Sequence, residues 1–258
     1  MEISTPIGLI LGWASMLIAF TMEGGTIGAL MQATAAMIVF GGTFGAAVTA
    51  FPMRDCLNIP NLMAMSFKKN SLEPHTLIPQ LVRYAEKARK EGLLALEADV
   101  ADAGDEFLQK GMQMVSDGID LNTVREMLET ELSFIASRHA ASFGIFEAMG
   151  GYAPTMGILG TVMGLISVLS NLDDPSTLGP SIALAFVATL YGVWTANLLW
   201  LPIASKLKRK SEEEILVREL MLAGVLSIQA GDNPQIVEEK LKSYLSPTLR
   251  RQIAKRDD

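Results

Sequence analysis

Residues 150–192 read GGYAPTMGILGTVMGLISVLSNLDDPSTLGPSIALAFVATLYG, in which two long apolar segments are separated only by the acidic pair Asp173 and Asp174. These segments belong to two longer runs without any charged residue, at 148–172 and 175–205. At about 1.5 Å per residue in a helix, each run can cross roughly 30 Å of hydrocarbon. This stretch therefore predicts a hairpin of two membrane-spanning helices.

The beginning of the chain repeats the same pattern. Uncharged runs at 3–22 and 24–53 are separated only by Glu23. All 21 Lys and Arg residues lie outside the four runs, within residues 54–147 and 206–258. We therefore predict an all-α, polytopic membrane protein, with transmembrane helices 1 and 2 in residues 1–53 and transmembrane helices 3 and 4 in residues 148–205.

The basic residues also predict the orientation. Lys and Arg close to the ends of spans are retained on the cytoplasmic side. Arg54 follows the second run and a basic cluster beginning at Lys206 follows the fourth, whereas the two short connections carry only acids. Both termini are therefore expected inside the cell. Residues 54–147 would form a helical cytoplasmic domain and residues 206–258 a helical C-terminal tail, and the net charge of -7 argues against a nucleic-acid partner.

None of the four uncharged runs contains an ionisable group of the Asp, Glu, Lys, Arg or His type. Ion-coupled transport normally requires such a group inside the membrane, where it is costly to place and therefore tends to be functional. Two alternatives follow from this absence. Either the chain moves no ion, or another protein supplies the carboxylate.

Two threonines in the third and fourth runs, Thr161 and Thr189, admit two interpretations. A threonine in a membrane helix often bonds to the carbonyl one turn back, here that of Gly157 or Ala185. Alternatively, two hydroxyls at similar depth on neighbouring spans line a hydrated path, because oxygen ligands suit a hard cation such as sodium.

Prolines and glycines in the runs are also open to two interpretations. Pro154 and Pro202 lie near the cytoplasmic ends of the third and fourth spans, where they are either merely tolerated or form a flexible junction. Glycines four residues apart allow close helix packing, within one subunit or between subunits. These glycine pairs are Gly8 and Gly12, Gly41 and Gly45, and Gly160 and Gly164.

The charged blocks read as amphipathic helices. Residues 77–100 favour one helix or a tight helix pair interrupted by Gly92, with a polar side that is either simply solvated or binds a partner. Asp120 or Asn122 is the expected cap of the helix that follows. The sequence contains no metal-ligand spacing, phosphate-binding loop, nucleophile elbow or paired catalytic carboxylates, so we expect neither enzymatic activity nor a cofactor.

Essentially the whole chain resembles the MotA/PomA family of bacterial flagellar stator subunits. The most specific segment is AEKARKEGLLALE at residues 85–97, followed by residues 150–192 quoted above and GVLSIQAGDNPQIVEEKLKSYL at residues 224–245. The resemblance implies a bacterial inner-membrane protein. It also implies a pentameric ring around a dimer of a single-span partner, MotB or PomB, whose aspartate carries the ion and whose outer domain binds peptidoglycan.

The resemblance assigns roles to residues of this chain. Arg89 and Glu97 would face the rotor protein FliG, and Pro154 and Pro202 would act as conformational hinges. Thr161 and Thr189 would supply ion-path hydroxyls for the transported Na+ or H+. Ion passage would then turn the ring around the anchored dimer and move the rotor electrostatically.

Sodium is the favoured ion, because sodium-driven members of the family resemble this chain in having threonine at the position of Thr161. Gln32 departs from the acidic residue that some sodium-type members carry near the outer face. The runner-up resemblance is to the TolQ/ExbB group of energising subunits, which have three spans, a different loop order and no AEKARKEGLLALE segment. A passive channel subunit is a further alternative.

Overall fold

The computed structural model of the chain describes residues 3–68, 74–100 and 103–245, together with residues 247 and 250. Within these ranges the chain forms helices and no strand, which confirms the all-α prediction. The α-helices are α1 (Ser4–Met22), α2 (Ala33–Ala36), α3 (Gly42–Ala50), α4 (Met53–Leu57), α5 (Ile59–Ser66), α6 (Pro74–Glu91), α7 (Glu97–Val100), α8 (Glu106–Ser116), α9 (Leu121–Ser170), α10 (Pro175–Thr195), α11 (Leu201–Gln229) and α12 (Pro234–Lys242).

Other helix types fill several of the connections. Short 3-10 helices occur at Ile27–Leu30 and Leu93–Leu96. A π-helical segment, Met37–Gly41, joins α2 to α3, and a second one, Ala196–Trp200, joins α10 to α11. Among the described residues, four helical segments are long and apolar enough to cross a membrane, as the sequence predicts: Ser4–Met22, Ile27–Ala50, Leu121–Ser170 and Pro175–Gln229.

The chain divides into two compact units. The first, which we call the span unit, comprises residues 1–69 and 139–209, and the second, the charged unit, comprises residues 70–138 and 210–258. The described part of the predicted C-terminal tail, from residue 210 onward, thus folds together with the middle of the chain. Residues 54–69 belong instead to the span unit, and the position of the membrane boundary stays a prediction.

The span unit is built around the contact between α9 and α10. At Gly157 the two backbones are so close that an added Cβ would lie 2.9 Å from the Ala188 carbonyl oxygen. An added Cβ at Gly164 would lie 2.8 Å from the Ser181 carbonyl oxygen. Gly160 and Gly164 therefore pack within one chain, whereas Gly8, Gly41 and Gly45 have no atom of the described chain near such a Cβ.

The charged unit has a separate apolar core. The stripe of α6 that includes Leu81 and Tyr84 is buried there, and so are residues of α8, the beginning of α9, the end of α11 and Leu241 of α12. The short helix α12 packs directly against α6. Asp105 caps α8, and Asp120 rather than Asn122 accepts hydrogen bonds from the first amides of α9.

Candidate functional site

Thr161 of α9 and Thr189 of α10 lie together in the span unit. The Thr161 hydroxyl is hydrogen-bonded to the Thr189 hydroxyl. Thr161 Oγ1 also lies 3.0 Å from the carbonyl oxygen of Ala185 and 3.2 Å from that of Gly157, and Thr189 Oγ1 lies 3.4 Å from the Ala185 carbonyl oxygen. Both back-bonds considered from the sequence are therefore present, together with a contact between the helices.

The group of oxygen atoms around Thr161 and Thr189 contains more hydrogen-bond acceptors than hydroxyl hydrogens. Each hydroxyl carries one hydrogen, so the two threonines cannot donate at once to each other and to the carbonyls of both Gly157 and Ala185. Four oxygen atoms, from two hydroxyls and two carbonyls, consequently converge at this point, and both threonines are half-buried. A cluster made only of neutral oxygens suits a hard cation that arrives with its own counter-charge.

A second hydroxyl pair, which the sequence alone did not reveal, follows along the same two helices. Ser167 of α9 and Ser181 of α10 are hydrogen-bonded with an oxygen–oxygen distance of 3.0 Å. The pair lies roughly 9 Å from Thr161 at the rise of an α-helix. Serines in apolar helices usually bond to their own helix, so only the antiparallel register of α9 and α10 identifies this pair.

Tyr191 links the fourth predicted span to the start of the second. Its hydroxyl donates to the carbonyl oxygen of Leu30. It also accepts the backbone N–H of Gln32 at 3.4 Å. The backbone just before α2 would otherwise lack intrahelical partners, so Tyr191 holds the start of α2. Gln32 is thereby anchored through its backbone.

The two prolines occupy different helical contexts. Pro154 lies inside the continuous α9, whereas Pro202 is the second residue of α11 and is separated from the π-helical segment Ala196–Trp200 only by Leu201. Proline removes a backbone donor and crowds the preceding turn, and a π-helical turn is a common way to accommodate such a defect. Near both prolines, Gly150 lies against the side chain of Leu201, where an added Cβ would clash.

Arg89 and Glu97 belong to the charged unit. Arg89 lies in the last turn of α6 and Glu97 begins α7, and both side chains are exposed. Neither forms an ion pair or a side-chain hydrogen bond within the described parts of the chain. Between them, Gly92 has a φ of +89°, a left-handed conformation that glycine adopts without strain and that ends α6.

Comparison with known sequence families gives matches over most of the chain. Residues 6–92 match the motility protein A N-terminal family, and residues 100–220 match the MotA/TolQ/ExbB proton channel family. Motility protein A of Bacillus subtilis (strain 168) is 40% identical over 259 residues, which cover 100% of this chain and 96% of that protein. Chemotaxis protein PomA of Vibrio alginolyticus is 38% identical, covering 95% of this chain and 96% of that protein.

Solved structures with a similar fold come from the same group of proteins. The flagellar MotAB stator complex from Bacillus subtilis matches with a TM-score of 0.89 and 41% identity, over 96% of this chain and 98% of that chain. C. jejuni MotAB also matches with a TM-score of 0.89, at 29% identity, over 96% of this chain and 97% of that chain. Sequence and fold agree over almost the full length, and the chain belongs to the MotA/PomA family of flagellar stator subunits, within the wider MotA/TolQ/ExbB family.

Proposed function

We propose that this chain forms a pentameric ring around a dimer of a MotB/PomB-type partner and converts the flow of a cation into torque on the flagellar rotor. The partner would contribute a single span with an ion-carrying aspartate and an outer domain that binds peptidoglycan. The Bacillus subtilis and C. jejuni structures that this chain resembles are both described as MotAB assemblies, which supports a partner of the MotB type.

The observation that carries this proposal is the absence of Asp, Glu, Lys, Arg and His from all four uncharged runs of the sequence. A cation crossing hydrocarbon needs a compensating charge, because an uncompensated charge in a low-dielectric medium is very costly. The oxygen cluster of Thr161 and Thr189 provides neutral ligands only. A carboxylate must therefore come from another chain.

Reconstitution into lipid vesicles tests this division of labour. The chain alone should give no ion flux above that of empty vesicles, because its spans offer no site that exchanges an ion. Vesicles that also contain the MotB/PomB-type partner, with any plug segment deleted, should conduct, and replacing the partner's aspartate by asparagine should abolish conduction. Selective flux through the purified chain without a partner would overturn the proposal.

For the coupling ion we propose sodium. The Thr161 and Thr189 hydroxyls, with the Ala185 and Gly157 carbonyls, can replace part of the water shell of a dehydrating cation. A proton carried by the partner's aspartate gains little from such neutral ligands. The oxygen cluster therefore favours sodium. Removing a hydroxyl of this cluster should change how motor speed depends on sodium more than it changes assembly of the complex.

For the rotor contact we propose Arg89 and Glu97, acting on charged residues of FliG. Both side chains are exposed and have no partner in the described parts of the charged unit, so they do not have to break an existing ion pair before they bind. A positive and a negative charge on one docking surface also favour one orientation of the partner over its reverse.

For the hinges we propose Pro154 and Pro202. Each lacks the backbone donor that would tie it to the preceding turn, so helix bending there breaks no hydrogen bond. The π-helical segment before Pro202 adds a second weak point in the same helical run. Motion at these positions would let the cytoplasmic part of the subunit respond to ion binding between the spans.

We further propose location in the bacterial inner membrane with both termini in the cytoplasm, from the distribution of basic residues. Single cysteines at Thr26, Ser176 and Asn122, in a Cys56→Ser background, test this orientation, since all three positions are exposed. An impermeant thiol reagent added to spheroplasts should label the first two and spare the third. Labelling of the Asn122→Cys variant from outside would contradict the proposed orientation and place residue 122 outside the cell.

A further inference from the structure

An ion pair closes the turn between α6 and α7. Lys87 Nζ lies 2.5 Å from Asp99 Oδ2, although the two residues are 12 positions apart in the sequence. The pKa of Lys87 is raised, chiefly by its hydrogen bond to Asp99, with a smaller opposing effect of desolvation. Lys87 therefore stays protonated and positively charged throughout the physiological pH range.

A second set of hydrogen bonds holds Asp99 through its backbone. Tyr84, which is only 2% exposed, donates its hydroxyl hydrogen to the Asp99 carbonyl oxygen at 3.3 Å. The same hydroxyl accepts a hydrogen bond from Gln80 Nε2 at 2.7 Å. Asp99 is thus tied to α6 at two points, and Leu96, which is fully buried, anchors the intervening 3-10 helix in the core.

Each member of the ion pair lies two residues from one of the proposed rotor contacts in the sequence. Arg89 follows Lys87 by two residues, and Glu97 precedes Asp99 by two residues. The charges that form the internal pair are therefore adjacent to the charges that remain without a partner in the described structure. Tying Lys87 to Asp99 fixes the backbone separation of Arg89 and Glu97 while leaving both side chains exposed.

Stability alone does not account for this arrangement. Both members of the pair are substantially accessible, with side-chain exposures of 30% and 38%, and such pairs contribute little to the free energy of unfolding. Without the pair, the segment after Gly92 would be held by the burial of Leu96 and by the hydrogen bond from Tyr84 to the Asp99 carbonyl, and the Asp99 side chain would lose its tie to α6. A partner that must engage a positive and a negative charge together gains when their spacing is set before docking, because less ordering is needed on binding.

We propose that Lys87 and Asp99 are positioning residues, whose ion pair sets the distance and direction between Arg89 and Glu97 for docking to a partner with the complementary charge spacing. This inference rests on the proposed rotor role of Arg89 and Glu97. It adds two residues that act through them and do not themselves touch the partner.

The spacing can be measured without the rotor. Spin labels on Arg89→Cys and Glu97→Cys, in a Cys56→Ser background of the full chain purified with its partner, report the distance between the two positions by pulsed electron resonance. We expect a narrow distribution of distances when Lys87 and Asp99 are intact. Lys87→Ala and Asp99→Ala should each broaden the distribution. Lys87→Arg should leave it narrow, and the double variant Lys87→Asp, Asp99→Lys should make it narrow again. Arg83→Ala, an exposed change one turn earlier on α6, is the matched control and should leave the distribution narrow.

Docking is measured in motile cells in which Arg89 and Glu97 are intact. Lys87→Ala should lower the occupancy of fluorescent stator units at the motor roughly two- to tenfold, the effect of one or two extra side chains to be ordered on binding. The double exchange should restore it, and reversing charges on FliG should not. A distribution that stays narrow in Lys87→Ala would overturn the proposal.

Restoration by FliG reversals alone would also overturn it, because Lys87 would then touch the rotor directly. A different result is expected if Arg89 and Glu97 do not contact the rotor. In that case, reversing Arg89 or Glu97 leaves torque unchanged, while the distance measurement still reports whether Lys87 and Asp99 set the spacing.

Discussion

Thr161 and Thr189 share one acceptor, the backbone carbonyl oxygen of Ala185, at 3.0 and 3.4 Å from their hydroxyl oxygens. The residues lie 28 positions apart and on different helices. The close approach of α9 and α10 at Gly157 makes this sharing sterically feasible. Each threonine thus contacts both its own helix and the neighbouring span, and a change at either hydroxyl alters the hydrogen bonds of the other.

Replacing Thr161 tests the coupling ion. In Thr161→Ala, motor speed should depend less steeply on external sodium at a fixed proton-motive force, because one hydroxyl ligand is lost. Thr161→Ser keeps the hydroxyl and should retain most of the dependence. Rotation rates of tethered cells over a series of sodium concentrations give the measurement. Full swimming in sodium-free medium, unchanged by Thr161→Ala, would assign the motor to the proton-driven group.

Charge reversal tests the rotor contact. Arg89→Glu and Glu97→Lys should each lower stator engagement roughly tenfold, because a rim attraction becomes a repulsion that slows docking. The amount of chain in the membrane should not change, since both side chains are exposed. Engagement is read from fluorescent stator units at the motor, and compensating reversals on FliG should restore part of it.

The matched control for these reversals is Arg125→Glu. Arg125 is an exposed cation of the same charged unit whose ion pair with Glu129, at 4.0 Å, is weak. It should behave as the unmodified chain. Loss of the Arg89 and Glu97 variants from the membrane would show instead that these side chains are needed for folding or assembly.

Gly157 should not tolerate a side chain. In Gly157→Ala the new Cβ would lie 2.9 Å from the Ala188 carbonyl oxygen and 3.2 Å from Thr189 Cα, and backbone atoms cannot move aside cheaply. Overpacking of this kind costs about 1–3 kcal/mol. The measurement is the thermal stability of the purified complex. Gly179→Ala, which has no described atom near the new Cβ, should be neutral or slightly stabilising, and equal effects at the two positions would contradict the packing.

The tail helix should stabilise α6. Leu241 is fully buried in the core of the charged unit, and Leu241→Ala should cost about 2–5 kcal/mol. Hydrogen exchange of α6 and α12 amides in the full-length complex should become faster. Ile236→Ala, on the same helix but 58% exposed, should change stability by no more than about 0.5 kcal/mol. Unchanged α6 protection in Leu241→Ala would mean that α12 does not support α6.

The Asp120 cap should depend on pH. Its pKa is lowered from 3.8, first by the hydrogen bond from the Thr123 hydroxyl and then by backbone N–H donors. A depressed carboxyl pKa contributes stability that is present above the unfolded value of 3.8 and is lost as the pH falls through the folded value. Protection of the Asn122 and Thr123 amides should therefore decrease below about pH 4 relative to the middle of α9. In Asp120→Asn, which keeps a capping oxygen without titrating, the profile should be flat.

The all-α class and the apolar helical segments of the described residues were predictable because the responsible forces act locally along the chain. Apolar length and the cost of placing a charge in hydrocarbon are properties of consecutive residues. The uncharged run at 175–205, for example, corresponds to α10, the π-helical segment and the start of α11. Thr161, Thr189, Arg89 and Glu97 were likewise named from the sequence as candidate site residues before any contact was known, and their roles stay predictions.

The contacts between side chains of different helices could not be predicted, because the spacing of apolar residues along one helix does not identify its partners. Ser167 meets Ser181 only because glycines let α9 and α10 approach in one register, and Lys87 meets Asp99 only because Gly92 turns the chain back. The sequence predicts a helical C-terminal tail but not what it packs against, and in the structure Leu241 lies in the same core as the buried face of α6. Burial of apolar surface is cooperative and independent of distance along the chain, and for that reason the partners of each helix emerge only when all of them are packed.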